Sequence, residues 1–148
     1  MKINYKNKVI LVTGGSRGIG KEVALSFYRN DAKVYITCTK RSNVINLRGK
    51  NNFIKSLIVD FNKDDQVAEF LTELDKIKKI DILVNNAGIN KIGKIQDYKS
   101  EDWKNIQNVN LFTPFLLSQA VSKKMIKNKY GRIINISSIF GEISKSKR

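Results

Sequence analysis

The chain has 148 residues, 41% of them apolar, which is enough for a single folded domain with a sizeable core. Its one cysteine, Cys38, excludes an intramolecular disulfide and a cysteine metal cluster, and the absence of histidine excludes His-ligated zinc and Ser-His-Asp catalysis. The net charge of +15 would attract polyanions, but the lysines are spread along the whole chain, so we expect no nucleic-acid partner.

The first predicted element is an apolar strand that runs directly into a glycine-rich turn, Thr13-Gly14-x-x-x-Gly18-x-Gly20. Helical periodicity follows the turn, so the order is strand, turn and helix N-terminus. Unpaired N–H groups and the helix dipole favour an anion there, and glycine allows the close approach of a phosphate. The pattern predicts a phosphate or dinucleotide site; a tight turn without a ligand is the alternative.

The rest of the chain alternates between strand-like runs and helical periodicities. In chain order, the predicted elements are strand Lys8–Thr13, helix Gly18–Asn30, strand Lys33–Cys38, strand Ile54–Val59, helix Asp64–Ile77, strand Ile80–Asn85, helix Ser100–Asn128 and strand Gly131–Ser137. Residues 39–52 are polar and ambiguous, and a short helix at 42–47 is one interpretation. In the last helix, Ser100 is the predicted N-cap and Pro114 predicts a kink.

This alternation predicts an α/β fold: a Rossmann-type, doubly wound parallel sheet of about five strands within a single domain, residues 1–148. Ligands of such sheets bind outside the carboxyl ends of the strands. We therefore expect four segments to converge on one crevice, namely Gly14–Gly20, Asp60, Asn85–Gly88 and Ser137-Ser138.

Four motifs occur in an order that resembles the short-chain dehydrogenase/reductase family. They are the glycine turn, Asn85-Asn86-Ala87-Gly88 after the fourth strand, Asn110 downstream of Trp103, and Gly131-Arg132-Ile133-Ile134-Asn135-Ile136-Ser137-Ser138. Together they span nearly the whole chain. Within the family, the chain is most similar to the 3-oxoacyl-carrier-protein reductase type.

The resemblance implies hydride transfer between NADP(H) and a carbonyl, on a small-molecule or acyl-carrier-bound substrate, in a homo-oligomer. Ser138 matches the catalytic serine that hydrogen-bonds the substrate oxygen, and Ser137 is the competing candidate. Asn110 matches an asparagine that holds a water in a proton relay; an asparagine that simply bonds a neighbouring carbonyl is the alternative. Asp60 and Phe61 match residues that contact the adenine, although an ordinary strand-end turn fits them equally well.

The complete set of expected cofactor-binding residues combines the glycine turn with the ends of three later strands. It consists of Thr13, Gly14, Ser16, Arg17, Gly18, Ile19, Gly20, Lys40, Arg41, Asp60, Phe61, Asn86, Ala87 and Gly88.

The end of the second strand indicates which dinucleotide is preferred. NAD enzymes usually place an acid there to bind the ribose hydroxyls. Here the sequence is Cys38-Thr39-Lys40-Arg41, with no acid, and Arg17 supplies another cation from the glycine turn. Because these groups would give a 2′-phosphate charge-assisted donors, we expect NADP in preference to NAD.

The departure from the family is the absence of its catalytic tyrosine and of the lysine four residues after it. By family spacing, both would fall beyond Arg148. We therefore expect a chain that lacks the catalytic helix and substrate lid and is inactive alone, with Phe112, Phe115 and Leu116 exposed and the fifth strand an open, aggregation-prone edge. One half of a split enzyme and a non-catalytic NADP-binding or interaction module are the alternatives.

No part of the sequence predicts export or membrane insertion. The apolar run Val9–Val12 is too short for a signal peptide, and no stretch approaches the roughly 18 apolar residues of a membrane span. With a single cysteine, the chain is expected to be cytoplasmic and to have no membrane partner.

Overall fold

The computed structural model describes residues 4–141 and residue 143. The strands are β1 Val9–Val12, β2 Lys33–Cys38, β3 Leu47–Arg48, β4 Phe53–Ile58, β5 Ile82–Asn85 and β6 Arg132–Asn135. The helices are α1 Gly18–Arg29, α2 Asp64–Lys76, α3 Ser100–Gln107 and α4 Thr113–Lys127. A π-helical turn, Asn108–Phe112, joins α3 to α4, and 3-10 turns occupy Arg41–Asn43, Ile95–Asp97 and Ile139–Gly141.

In the described part of the chain, the strands form one sheet in the order β3-β4-β2-β1-β5-β6. All neighbouring strands are parallel except β3, which is antiparallel to β4. The doubly wound parallel sheet is therefore confirmed, but a sixth strand joins the five that were predicted. The short helix considered for residues 42–47 is present only as a 3-10 turn, Arg41–Asn43, after which the chain leads into β3, antiparallel to β4.

Helices cover both faces of the central strands, and alternate residues of these strands point to opposite faces. Leu11 and Leu83 face a cluster with α2 and α4, which contribute Leu74 and Leu117. The neighbouring strand residues, among them Ile10, face a second cluster with α1. This explains why the strands are apolar throughout, and it leaves the carboxyl ends of the strands as the place for a ligand.

The helix predicted from Ser100 to Asn128 is interrupted just before Pro114. Pro114 has no N–H to donate to the carbonyl four residues earlier, that of Asn110. The Thr113 N–H instead donates to the Asn108 carbonyl, five residues back, as in a π helix. The helix is thus interrupted next to the proline by a π turn, and the kink predicted there stays a prediction.

The predicted N-cap of this helix is wrong by one residue. Ser100 is the first helical residue, and Lys99 precedes it with extended backbone and no capping side chain. Glu101 and Asp102 in the first turn stabilise the positive end of the helix dipole instead.

The side of the molecule formed by α4 and β6 exposes apolar groups. Phe112 and Phe115 are 53% and 57% exposed, as expected, and β6 is an edge strand whose residues are all exposed. Leu116 differs from the expectation because it is partly buried against the core. None of the helices that the structure describes combines the length and apolar character needed to cross a bilayer.

Candidate functional site

The glycine turn between β1 and α1 has a conformation that depends on its glycines. Gly14 and Gly18 have φ angles of +63° and +53°, in the left-handed region. A Cβ on Gly14 would lie 3.0 Å from the Ala87 Cα, and one on Gly20 would lie 2.5 Å from the Gly14 carbonyl oxygen. The turn is therefore packed against itself and against the segment that follows β5.

Thr13 connects the glycine turn to the end of β5. Its hydroxyl oxygen accepts hydrogen bonds from the N–H groups of Asn86 and Ala87, both at 2.9 Å. In return, the Asn86 side chain donates to the Thr13 carbonyl at 2.9 Å and to the Gly14 carbonyl at 3.3 Å. Thr13 is only 3% exposed, so its side chain holds the turn in place rather than facing a ligand.

Thr37, in β2, is a further residue of the site that sequence reasoning missed. Its hydroxyl oxygen accepts the Gly14 N–H at 3.0 Å, and its carbonyl accepts the Gly15 N–H at 3.1 Å. The signal available in the sequence was a threonine one residue before the end of the strand that neighbours β1. Because these two N–H groups are occupied, an anion would bind further along, at the first turn of α1.

The N-terminus of α1 differs electrostatically from those of α2 and α3. The first turn of α1 contains no acid, and Arg17 before it makes no capping hydrogen bond. The first turns of α2 and α3 each contain two acids, which compensate the helix dipole. Ile19, also in the first turn of α1, is 66% exposed. The start of α1 therefore retains its positive partial charge and an open surface.

Three exposed cations surround this region: Arg17 before α1, and Lys40 and Arg41 after β2. Within residues 4–141 none of them forms an ion pair, although lysines elsewhere do. The ends of β1 and β2 are neighbours, because these strands are paired in parallel. The carboxyl end of β2 therefore offers unpaired positive charge and no acid.

Cys38 ends β2 with a buried side chain that is 4% exposed. Burial raises the pKa of its thiol, which keeps the thiol protonated at neutral pH, while a smaller contribution from the Lys40 backbone lowers the pKa. The thiol thus adds no negative charge beside Lys40 and Arg41.

Asp60 and Phe61 follow β4 and have separate structural roles. One Asp60 carboxylate oxygen accepts the Asn62 N–H at 3.0 Å, which forms a local turn ahead of α2. The Phe61 ring is 5% exposed and packs edge-on against Phe70, with ring centroids 5.9 Å apart. Its ring therefore faces the core, and the partly exposed Asp60 side chain is the part left for a ligand.

The residues after β5 line the same edge of the sheet. Asn86 and Ala87 hold the glycine turn, and Gly88 follows with an exposed backbone. Asn85 is 5% exposed, and its amide donates to the Asn135 side chain at 2.8 Å and to the Ser118 hydroxyl at 3.3 Å. This amide ties β5 to β6 and α4, so Asn85 is a structural residue.

Asn110, in the π turn, holds the segment after Gly88. Its side-chain oxygen accepts the Ile89 N–H, and its side-chain nitrogen donates to the Ile89 carbonyl, both at 2.9 Å. Bonding to a neighbouring backbone is the alternative that the sequence left open. The side chain is therefore engaged, and the backbone carbonyl of Asn110, to which Pro114 cannot donate, is a candidate for holding a water.

Ser137 and Ser138 are exposed and follow β6 after one intervening residue, Ile136. The Ile136 N–H donates to the Asn85 carbonyl at 2.9 Å, so pairing with β5 continues past the end of β6. The Ser138 carbonyl then accepts the Gly141 N–H at 2.9 Å and begins a 3-10 turn. The structure thus brings the two serines to the same edge as the glycine turn and Asn86–Gly88.

Comparison with known proteins gives a consistent result. A family model described as short chain dehydrogenase matches residues 8–147. The 3-oxoacyl-[acyl-carrier-protein] reductase of Synechocystis is 39% identical over 142 residues, covering 90% of this chain and 57% of that protein. FabG of Escherichia coli, which has the same description, is 36% identical over 143 residues, covering 94% and 58%. The chain therefore spans less than two thirds of the length of these relatives.

Solved structures share the fold. A metagenomic short-chain oxidoreductase in complex with NADP has a TM-score of 0.84 and 33% identity, covering 96% of this chain and 66% of that one. A short-chain dehydrogenase from Streptomyces avermitilis has a TM-score of 0.81 and 24% identity, covering 93% and 51%, which supports the fold alone.

Proposed function

The chain belongs to the short chain dehydrogenase family, and we propose that it binds NADP(H) at the carboxyl edge of its sheet to serve the reduction of a carbonyl. The observation that carries this proposal is the start of α1, which has no acid in its first turn and is preceded by Arg17, a cation that forms no ion pair among the residues that the structure describes. A helix N-terminus in this state favours a diphosphate.

The residues present fit such a dinucleotide. The first turn of α1, with Ser16 and the backbone of Gly18 to Gly20, would hold the diphosphate. Asp60 would contact the adenine side, and the exposed backbone at Gly88 would lie on the nicotinamide side. Thr13 and Asn86 act indirectly in this proposal, because their hydrogen-bonding groups hold the glycine turn.

The 2′-phosphate that distinguishes NADP from NAD would bind to Arg17, Lys40 and Arg41. An acid after β2 would favour the unmodified ribose of NAD, and the segment 38–41 contains none. Unpaired, exposed cations supply charge-assisted hydrogen bonds to phosphate. The related structure with bound NADP supports this preference.

The reaction that we propose is the reduction of a ketone to an alcohol, for which bound NADPH supplies the hydride. The Ser138 hydroxyl, beyond β6, would donate a hydrogen bond to the substrate oxygen, with Ser137 as the competing candidate. Asn110 would keep the loop after Gly88 in place through Ile89, and its backbone carbonyl would hold a relay water.

The family's tyrosine and lysine are not supplied by these 148 residues, because none of the five tyrosines has a lysine four residues later. The proton donor of the proposed reaction must therefore come from another polypeptide segment. In this proposal, the chain binds the cofactor by itself, whereas turnover requires the chain together with that segment.

We further propose that the substrate is a 3-oxoacyl group carried by an acyl carrier protein, in the cytoplasm and on a homo-oligomeric enzyme. The support for the substrate is the description shared by curated relatives that are 36–39% identical. Reduction of 3-oxoacyl thioesters, compared with simple sugars and cyclic ketones, tests the substrate class once the tyrosine-bearing segment is supplied.

The decisive experiment is a fluorescence titration of the purified chain with NADPH, with NADH titrated in parallel. The proposal expects saturable binding with a clear preference for NADPH. Preference for NADH would contradict only the assignment of Arg17, Lys40 and Arg41 to the 2′-phosphate. Absence of binding to both, in a chain shown to be folded by circular dichroism, would contradict the proposed cofactor site.

A further inference from the structure

The segment that carries Lys40 and Arg41 is fixed at its first end by β2. The Cys38 thiol donates to the Lys40 carbonyl, with 3.6 Å between sulfur and oxygen. The same carbonyl accepts the Asn43 N–H at 3.0 Å, and the Arg41 carbonyl accepts the Val44 N–H at 3.2 Å. The backbone at both cations therefore has a defined conformation in a 3-10 turn.

The second end of the segment that carries Lys40 and Arg41 is fixed by a serine of β4. The Ser56 hydroxyl oxygen accepts the Ile45 N–H at 2.8 Å, and the same hydroxyl donates to the Ile45 carbonyl at 2.8 Å. The Ser56 N–H in turn donates to the Asn46 side-chain oxygen at 3.0 Å. Three hydrogen bonds thus attach residues 45 and 46 to the edge of β4, all of them through side chains.

These side-chain bonds continue the antiparallel pairing of β3. Leu47 lies opposite Ile54 and Arg48 opposite Phe53, so the same register places Ile45 opposite Ser56. At that position the Ser56 hydroxyl replaces the backbone partner that a longer strand would supply. The side chain of Ile45 also packs against the core cluster on the α1 side, which adds an apolar contact at the same point.

Between the two attachments lie only residues 41–44, which include the 3-10 turn. A segment this short, held at both ends, leaves the backbone that carries the cations little freedom of position. A site whose charged groups are ordered in advance binds its ligand more tightly, because the ordering cost is not taken from the binding free energy.

We propose that Ser56, assisted by Asn46, is a positioning residue for cofactor selectivity: it holds the Lys40–Arg41 turn where it can bind the 2′-phosphate of NADP(H). This inference rests on the proposed function, since it requires that the chain binds NADP(H) with these cations. Ser56 itself lies on β4 and acts through the segment that it anchors.

The test compares Kd values for NADPH and NADH in the full chain. For Ser56→Ala we expect the NADPH Kd to rise about five- to tenfold, the effect of ordering one or two long side chains. The NADH Kd should remain unchanged, because NADH has no 2′-phosphate. Ser56→Thr retains a hydroxyl and should restore the preference, whereas a purely structural defect would weaken both cofactors equally.

Two further variants keep the result interpretable. Asn46→Ala, at an exposed position, should shift selectivity in the same direction by about two- to threefold, so it decides the matter if Ser56→Ala fails to fold. Ser122→Ala is the matched control, because that hydroxyl donates to a carbonyl within α4.

Unchanged NADPH:NADH selectivity in the folded Ser56→Ala or Asn46→Ala variants would overturn the assignment of Ser56 while leaving the proposed function intact. A wild-type chain that binds neither cofactor would contradict the proposed function itself. The two failures are therefore distinguishable.

Discussion

The two edges of the sheet end in different ways. At one edge, β3 pairs with β4, the Ser56 hydroxyl of β4 bonds both backbone groups of Ile45, and the Asn46 side chain accepts the Ser56 N–H. At the other edge, β6 is exposed over its whole length, and Ile133 and Ile134 are 39% and 42% exposed. The comparison indicates that the side around β1, β2 and β4 is internally satisfied, whereas the side of β6 and α4 presents surface suited to further packing.

The largest effect is expected from a substitution at Gly20, on the side of the molecule around β1, β2 and β4. A Cβ there would meet the Gly14 carbonyl oxygen at 2.5 Å, so Gly20→Ala should lower the unfolding free energy by about 3 kcal/mol. It should also abolish NADPH binding, because the turn can no longer close. Urea denaturation and NADPH titration measure the two effects.

Gly18→Ala is the matched control for this substitution. Gly18, unlike Gly20, has a positive φ, but no atom lies within 4 Å of its added Cβ. We expect a loss of only about 1 kcal/mol, from backbone strain alone. Equal losses in the two variants would show that the close packing of the turn against itself is unimportant.

An intermediate effect is expected at Arg17, on the same side of the molecule. Arg17→Ala should raise the NADPH Kd by more than about tenfold, the scale of charge-assisted hydrogen bonds, with a much smaller loss for NADH. Arg29→Ala, at the other end of α1, removes the same charge and should leave both Kd values close to wild type. Equal weakening of NADPH and NADH by Arg17→Ala would rule out its role at the 2′-phosphate.

The smallest effect on stability is expected at the open edge. Ile134→Lys should reduce self-association in sedimentation velocity, because a charge on an edge strand opposes pairing. Its unfolding free energy should change by less than about 0.5 kcal/mol, since the side chain is already substantially exposed. Leu47→Lys, on β3, provides the comparison at the other edge. If both lysines reduce association equally, the two edges do not differ as described.

Apolar runs and helical periodicity allowed much of the fold to be predicted from sequence. The ends of the predicted strands and of the first two helices agree with the structure to within two residues. The missed strand β3 consists of two exposed residues, so it has no apolar alternation from which it could be recognised. Ser100 was misplaced by one position because helix ends depend on local hydrogen bonding, which periodicity does not report.

Site residues could be predicted where they follow a strand of the parallel sheet, because the carboxyl ends of such strands lie at one edge. Thr37 and Ser56 were missed because their partners lie 23 and 11 residues away, and only the register of the sheet brings them together. Phe61 was expected beside the adenine, but the sequence does not reveal that its ring turns inward towards Phe70. The roles of Ser138 and Asn110 stay predictions until turnover is measured.

The hydrogen bonds of Thr13 have a consequence for the order of folding. Its hydroxyl binds the Asn86 and Ala87 N–H groups, which lie 73 and 74 residues further along the chain. The glycine turn therefore cannot reach its final shape from local interactions, and contacts this distant form late because of the entropy of closing the intervening loop. During synthesis, a nascent chain would therefore acquire affinity for the dinucleotide only after residue 87 has left the ribosome.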